Sequence, residues 1–218
     1  MFRRFINYLK SLFERTMPIS EEPSMSEKIQ IPRLAIIIGH TKNSPGASMN
    51  HSEFSSEYDY NSQLWPIIER AALELGISVK VFYRDGVGIA GAYSSVMDFE
   101  PDAAIELHFN AYNGRVRGTE TLYYDDRDLD GVDERSFAQL VQNEVCEVFL
   151  RQGRENRGLK KVGPRSRGGT NLSQLFDCPS ILVEPFFGDN KEDADLAARL
   201  MSEYAKSLVD AFNEWYNS

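Results

Sequence analysis

Three apolar runs in this chain each end in a side chain that can bind a metal ion or transfer a proton. LAIIIG leads into His40, AAIEL leads into His108, and SILV leads into Glu184. Continuous apolar runs of this kind are typical of strands buried on both faces of a parallel sheet. Ligands of open α/β sheets bind at the carboxyl ends of such strands. The sequence therefore predicts a site in which these three side chains meet, and it favours an enzyme.

Segments with helical spacing of apolar residues alternate with strand-like segments, which is typical of an α/β fold. We expect a mostly parallel central sheet with helices on both faces. Pro66 is unfavourable inside the first helix, so either it kinks that helix or the helix begins further downstream. Residues 151–171 are rich in Gly and Arg and are expected to form a loop. The expected strands are 34–39, 78–83, 103–107, 119–124 and 180–184, and the expected helices are 57–75, 87–99, 137–149 and 191–216, the last capped by Asn190.

Composition indicates one domain with a short appendage. The chain has 218 residues, of which 42% are hydrophobic, so it can bury a sizeable core. It contains no apolar run of about 18 residues or more, the length that spans a membrane. Its formal net charge of -9 argues against nucleic acid as a partner. Cys146 and Cys178 form no spaced framework, and both are expected to be buried.

The first 17 residues have the apolar spacing of an amphipathic helix. One interpretation is a helix that lies on an anionic membrane surface, and the other is a helix that docks on its own domain or on a second copy. The segment does not resemble a cleavable signal peptide, because polar residues interrupt its apolar core. Residues 18–32 contain three prolines and are expected to be a linker to a catalytic domain at 33–218. The basic residues of the helical segment are Arg3, Arg4, Lys10 and Arg15.

His40 and His108 are the best candidates for metal ligands, because both follow predicted strands. A single histidine in this position is commonly a hydrogen-bonded core residue, but two imidazoles and one carboxylate make a catalytic zinc arrangement. Glu57 follows the His40 loop and is the best candidate for the third ligand, with Glu53 as the alternative. His51 lies in a loop without strand context and is expected to be solvated.

Glu184 is expected to have a separate role. A carboxylate beside a metal centre can accept a proton from the attacking water and return it to the leaving amine. The alternative is that Glu184 supports a histidine ligand through a hydrogen bond. Its position at the end of a strand favours the catalytic role.

Six stretches of the chain carry a resemblance to a known family. They read IIIGHTKNSPGA, EYDYN, ELHFNA, GTETLYY, RGLK and ILVEPFFGDN. In their order and context they resemble the zinc-dependent N-acetylmuramoyl-L-alanine amidases of the Amidase_3 type. The resemblance implies an α/β fold with about six strands, one zinc ion per chain, and hydrolysis of the amide that joins N-acetylmuramic acid to L-alanine in peptidoglycan. It also implies that His40, Glu57 and His108 bind the zinc ion and that Glu184 is catalytic.

The chain departs from that family at three places. Thr41 and Lys42 replace a second glycine pair, and Glu106 stands where a serine is common. The stretch GIAGAYSSVMDF replaces an Arg-containing stretch before the central strand. None of these changes removes an expected ligand.

Two charged segments have alternative interpretations. Residues 151–167 contain seven basic residues and one acid, and guanidinium groups can bind the carboxylates of a muropeptide stem. We expect Arg157 and Arg165, together with Asn110, to contact substrate, although a solvated basic loop is the alternative. Asp126, Asp128 and Asp130 imitate the start of an EF-hand loop, but the twelfth position is Phe137, so a solvated acidic loop is expected.

The sequence therefore predicts an endolysin-like zinc amidase that acts on peptidoglycan or muropeptides at the cell wall, in the periplasm or outside the cell. A phage lysin and a bacterial remodelling enzyme are both compatible with it. The alternatives are another zinc amide hydrolase, similar to an N-formylglutamate amidohydrolase or a carboxypeptidase, and a cell-wall-binding protein without activity.

Overall fold

The computed structural model describes residues 30–49, 52–124, 134–150, 153–175 and 177–218. Five sequence-based predictions lie wholly or largely outside these ranges. They concern the amphipathic helix at 1–17, the linker at 18–32, His51, the acidic segment at 126–130, and Arg151. Residues 31–218 form one compact unit.

Six strands form a single sheet in the order β2-β1-β3-β6-β4-β5. Every neighbouring pair is parallel except β4 and β6, which are antiparallel. The sheet is therefore mostly parallel, as predicted. The strands are β1 (Arg33–Ile38), β2 (Ser78–Phe82), β3 (Ala103–Leu107), β4 (Thr119–Tyr124), β5 (Asn156–Val162) and β6 (Ser180–Glu184).

The register of the sheet brings the predicted site residues to one edge. Ile38 at the end of β1 pairs with Leu107 at the end of β3, and Leu107 pairs with Val183 near the end of β6. His40 and His108 follow the first two of these strands, and Glu184 ends the third. Since the three strands are parallel neighbours, their carboxyl ends open on the same side of the molecule.

Helices cover both faces of the sheet, which confirms the predicted fold class. Apolar residues of α1, α3 and α6 pack on one face, and α2 and α4 cover parts of the other. The alternation within β1 explains how one strand supports both layers: Leu34, Ile36 and Ile38 face the first layer, and Ala35 and Ile37 face the second. The helices are α1 (Glu57–Glu74), α2 (Gly88–Phe99), α3 (Glu134–Leu150), α4 (Gly169–Leu172), α5 (Lys191–Arg199) and α6 (Met201–Tyr216).

The structure differs from the sequence-based expectation in two segments. The predicted loop at 151–171 contains β5 and the start of α4. β5 lies at the edge of the sheet and is mostly half-exposed, so it lacks an apolar run. The predicted helix at 191–216 is interrupted at Leu200 and forms α5 and α6, although Asn190 caps it as expected.

Pro66 lies inside α1, which nevertheless begins at Glu57. Of the two alternatives drawn from Pro66, a start of the helix further downstream is therefore wrong. Cys146 and Cys178 are buried, as predicted, and burial raises the pKa of the Cys146 thiol to about 11. Within the described part of the chain, no helix has both the length and the apolar character needed to cross a membrane.

Candidate metal centre and active-site cleft

A cleft of about 410 Å³ opens at the carboxyl ends of β1, β3 and β6. His40, Glu57, His108 and Glu184 all line it, although 144 residues of sequence separate the first from the last. The volume is in the range of small-molecule sites. The other lining residues are Ala47, Phe109, Asn110, Ala111, Arg167, Gly168, Asn171 and Leu182.

Two histidines and one glutamate form a compact cluster in this cleft. Nε2 of His40 lies 3.2 Å from Oε2 of Glu57, and Nδ1 of His108 lies 3.0 Å from Oε1 of the same carboxylate. The two imidazole rings meet edge to face, with centroids 4.9 Å apart. One potential ligand atom from each of the three residues lies within 4.8 Å of the other two. The cluster is thus small enough for all three side chains to bind one ion.

The loop after β1 turns His40 into the cleft at a conformational cost. His40 has a φ of 67°, in the left-handed region that residues with a Cβ rarely adopt. The preceding residue, Gly39, donates a hydrogen bond to the carbonyl of Leu107 at 3.0 Å. A Cβ on Gly39 would lie 2.5 Å from that carbonyl and 2.6 Å from the ring of His108. Unusual backbone conformations of this kind are concentrated at functional sites.

Glu57 is fixed in the cleft by the start of α1. Ser56 caps this helix by accepting a hydrogen bond from the amide of Asp59 at 3.3 Å, so Glu57 is its first residue. The Glu57 carboxylate accepts hydrogen bonds from the amides of Ala47 at 2.8 Å and Phe109 at 3.0 Å. These amides belong to the loops after β1 and β3, so Glu57 connects the two histidine-bearing segments.

The arrangement of this cluster fits a zinc ion. Histidine nitrogen and carboxylate oxygen are the donors that catalytic zinc sites use, and three protein ligands leave a position for water or substrate. Gly46 leaves room beside the donors because it has no side chain. A Cβ at this position would lie 2.5 Å from Oε2 of Glu57 and 2.6 Å from the ring of His40. His40, Glu57 and His108 could therefore hold the metal.

Burial and hydrogen bonding favour the forms of His108 and Glu57 that bind a metal ion. Burial lowers the pKa of His108, which favours the neutral imidazole with a lone pair. Burial alone would raise the pKa of Glu57, but hydrogen bonds with His108 and His40 outweigh it and lower the pKa below its ordinary value. Glu57 is therefore a carboxylate near neutral pH.

Glu184 lies in the same cleft outside this cluster. Its side chain is 3% exposed, and Oε2 is ion-paired with Nη2 of Arg167. The same Arg167 nitrogen donates to Oδ1 of Asn110 at 3.0 Å. Arg167 is itself 58% exposed, so its guanidinium covers Glu184 while facing solvent. A ligand entering the cleft would meet this pair.

The three residues expected to contact substrate occupy different positions. Asn110 lines the cleft and donates to Oε1 of Glu120 at 2.8 Å. Arg157 is outside the lining, where its Nε donates to Oε2 of Glu120 at 2.8 Å and its guanidinium lies over the Phe187 ring. Arg165 is exposed and is also outside the lining. Substrate contact by these three side chains stays a prediction.

Two neighbours of the cluster were not singled out as site residues from the sequence. Arg167 was one member of a basic segment, and nothing in its spacing distinguishes it from Arg165. Glu106 departs from the family pattern in the sequence, and its Oε1 lies 3.1 Å from Nε2 of His108. A charged residue inside an apolar run was the available signal. Glu53, the alternative ligand, is exposed and lies outside the cluster.

Comparison with known families gives one match that covers most of the chain. The family model described as N-acetylmuramoyl-L-alanine amidase matches residues 34–213. No curated protein sequence matches the chain.

The solved structures that resemble this fold include those of the following three proteins. N-acetylmuramoyl-L-alanine amidase AmiC2 of Nostoc punctiforme has a TM-score of 0.70 and 21% sequence identity, over 86% of this chain and 98% of that chain. The catalytic domain of the CD27L endolysin, described as targeting Clostridia Difficile, has a TM-score of 0.65 and 27% identity, over 84% and 97%. Cwp6 from Clostridium difficile has a TM-score of 0.70 and 23% identity over 85% of this chain, which spans only 29% of the Cwp6 chain.

Proposed function

The chain belongs to the N-acetylmuramoyl-L-alanine amidase family, and on that basis we propose that it cleaves peptidoglycan with one zinc ion held by His40, Glu57 and His108. The reaction of this family is hydrolysis of the amide bond between N-acetylmuramic acid and L-alanine. The single observation that carries the proposal is the meeting of these three residues with Glu184 in one cleft. Four separate segments of the chain contribute to it, which packing alone does not explain.

The three proposed ligands differ in the charge that they bring to the ion. His40 and His108 supply neutral nitrogen donors, and Glu57 supplies the negative charge that offsets the cation. A bound zinc ion would act as a Lewis acid that polarises the scissile carbonyl and promotes deprotonation of a water molecule. The amides of Ala47 and Phe109 hold the Glu57 carboxylate in place, which limits its rearrangement when the ion binds.

Glu184 is the proposed general base and acid. Its carboxylate accepts the proton of the attacking water and returns it to the nitrogen of the departing L-alanine. Its location in the cleft but outside the ligand cluster supports this role. The ion pair with Arg167 favours the carboxylate form, in which Glu184 can accept a proton.

Arg167 and Asn110 are the proposed contacts for the peptide stem. Both line the cleft beside Glu184, and Arg167 offers an exposed guanidinium that can bind a carboxylate in two-point geometry. Arg157 and Arg165 lie on the same basic segment as Arg167, and they are further proposed contacts to substrate.

Residues 1–17 are proposed to contact an anionic membrane surface, and residues 33–218 to form the catalytic domain that acts at the cell wall.

Product analysis on purified peptidoglycan tests the activity. Cleavage by the amidase must expose the α-amino group of L-alanine, which chemical labelling of free amino termini followed by mass spectrometry identifies. Release of a carboxyl-terminal residue instead would support the carboxypeptidase-like alternative. Binding to peptidoglycan without any new amino terminus would support the non-catalytic alternative.

Substitution of Glu184 tests the mechanism. Glu184→Gln keeps the size of the side chain but cannot act as a general base, so turnover should fall at least about 100-fold. Zinc content should remain about one ion per chain, because Glu184 is not a proposed ligand. A zinc-loaded variant with nearly normal turnover would contradict the mechanism. A zinc-free variant would make Glu184 a ligand or a support for one.

A further inference from the structure

Glu106 is a completely buried carboxylate in the middle of the sheet, directly behind the metal centre. It lies on β3 two residues before His108, so both side chains leave the same face of the strand. Its Oε1 is 3.1 Å from Nε2 of His108, and Nδ1 of that imidazole faces Glu57 on the other side. The ring of His108 thus lies between two carboxylates, one in the cleft and one in the core.

The other contacts of the Glu106 carboxylate also come from hydrogen-bond donors. Arg84, a buried residue that follows β2, forms an ion pair with Oε1. The hydroxyl of Tyr93 on α2 donates to Oε2 at 2.6 Å, and Nδ2 of Asn171 on α4 lies 3.1 Å from each oxygen. Because a guanidinium has no acceptor and the amide NH₂ can only donate, the carboxylate accepts from every side.

Both carboxylates beside His108 can only accept a hydrogen from the ring, and a metal ion bound on the Glu57 side would take the lone pair of Nδ1 and leave the hydrogen on Nε2, facing Glu106. A carboxylate held by a buried guanidinium has no proton to offer, so Glu106 accepts that hydrogen. Nδ1 is the atom that lies 3.0 Å from Glu57 and faces the cluster with His40.

We propose that Glu106 is a positioning residue for His108, which holds the ring in the tautomer and orientation that present Nδ1 to the metal. Arg84 keeps Glu106 charged, and Tyr93 and Asn171 fix its carboxylate against rotation. This inference rests on the proposed function, since it needs a metal bound by His108. Carboxylate partners of this kind orient histidine ligands and raise their basicity.

A purely structural role for Glu106 makes a different prediction. If the carboxylate only neutralises Arg84 in the core, its loss would lower the stability of the fold without a specific effect on metal binding. Tyr93 offers a matched control, because it is equally buried and contacts the opposite oxygen of the same carboxylate. Tyr93→Phe removes one hydrogen bond to Oε2 and leaves the contact between Oε1 and His108.

The experiment compares zinc affinity in Glu106→Gln, Tyr93→Phe and the unaltered protein. Zinc is titrated in competition with a chromophoric chelator, and thermal unfolding of the metal-free proteins is recorded in parallel. We expect both variants to unfold at lower temperature, and only Glu106→Gln to bind zinc more weakly, by roughly 10- to 100-fold. Equal zinc affinities in the two variants would overturn the inference.

A measurement on the unaltered protein decides the question if Glu106→Gln does not fold. Long-range nitrogen–proton NMR spectra of the zinc-loaded protein identify the protonated nitrogen of each imidazole. We expect a slowly exchanging proton on Nε2 of His108, and a proton on Nδ1 would overturn the inference. If the unaltered protein binds no zinc in the titration, the proposed metal centre is itself wrong, and this inference is wrong with it. A protein that binds zinc but carries the proton on Nδ1 of His108 contradicts this inference alone.

Discussion

Gly46 offers a direct test of how tightly the proposed metal centre is built. Its φ of 80° suits glycine, and a Cβ at this position would lie 2.5 Å from Oε2 of Glu57 and 2.8 Å from Nε2 of His40. Ordinary contacts begin at 3.4 Å, so in Gly46→Ala these two donor atoms must move apart from the new methyl group. The displacement needed is about 1 Å, a misplacement that can cost an active site on the order of 100-fold in rate.

Gly76 is the matched control for this substitution. It has a φ of 71°, and a Cβ there would meet nothing within 4 Å. Both substitutions place alanine in the left-handed region, at a cost of roughly 1–2 kcal/mol. In a domain of this size, each kcal/mol corresponds to a fall in Tm of about 2–4 °C. Gly76→Ala should therefore lose stability alone, and Gly46→Ala should also lose zinc affinity and turnover.

The assay combines thermal unfolding, zinc titration against a chelator, and cleavage of purified peptidoglycan. We expect Gly76→Ala to bind zinc and turn over substrate like the unaltered protein. Gly46→Ala should bind zinc at least about tenfold more weakly, because two of the three proposed ligands are displaced together. Equal zinc affinity in the two variants would refute the reasoning, since it would mean that Glu57 and His40 do not bind the ion from their present positions.

Three further predictions follow from the cleft and the sequence. Glu57→Ala should abolish tight zinc binding whereas Glu53→Ala should not, as metal analysis of the purified proteins can decide, and the reverse result would move the third ligand to Glu53. Arg167→Ala should lower kcat/KM on muropeptides by an amount worth about 1–3 kcal/mol, because it removes a charged contact to the cleft. Arg165→Ala should lower kcat/KM less than Arg167→Ala does, because Arg165 lies outside the lining of the cleft, and an unchanged value would remove Arg165 from the proposed contacts. Deleting residues 1–17 should preserve zinc content and muropeptide cleavage but reduce binding to anionic vesicles, and unaltered vesicle binding would exclude the membrane interpretation.

The sequence predicted those parts of the site that depend on local chain pattern. Apolar runs located β1, β3 and β6, and the residue after a buried parallel strand reaches the cleft by geometry alone. This places His40, His108 and Glu184 without any knowledge of their neighbours. The cap Asn190 was also predictable, because a helix cap depends on a few consecutive residues.

The sequence could not predict features that depend on contacts between distant segments. β5 is a strand because β4 offers it hydrogen bonds, and its half-exposed residues carry no apolar pattern. Arg167 and Arg165 are both arginines of the same basic segment, and only the fold places Arg167 against Glu184. Glu106 departs from a hydrophobic run for a reason that lies in Arg84 and Tyr93, which belong to other elements.

The position of β6 has a consequence for the order in which this protein can become active. β6 is the last strand in the chain, yet it lies between β3 and β4, so the strands β2-β1-β3 and the pair β4-β5 join one sheet only when β6 is inserted. The proposed zinc ligands all precede residue 109, whereas the proposed base lies at the end of β6. During synthesis the metal-binding half of the site can therefore assemble first. Hydrolysis by the proposed mechanism must wait for Glu184, so a nascent or partly folded chain lacks the proposed general base.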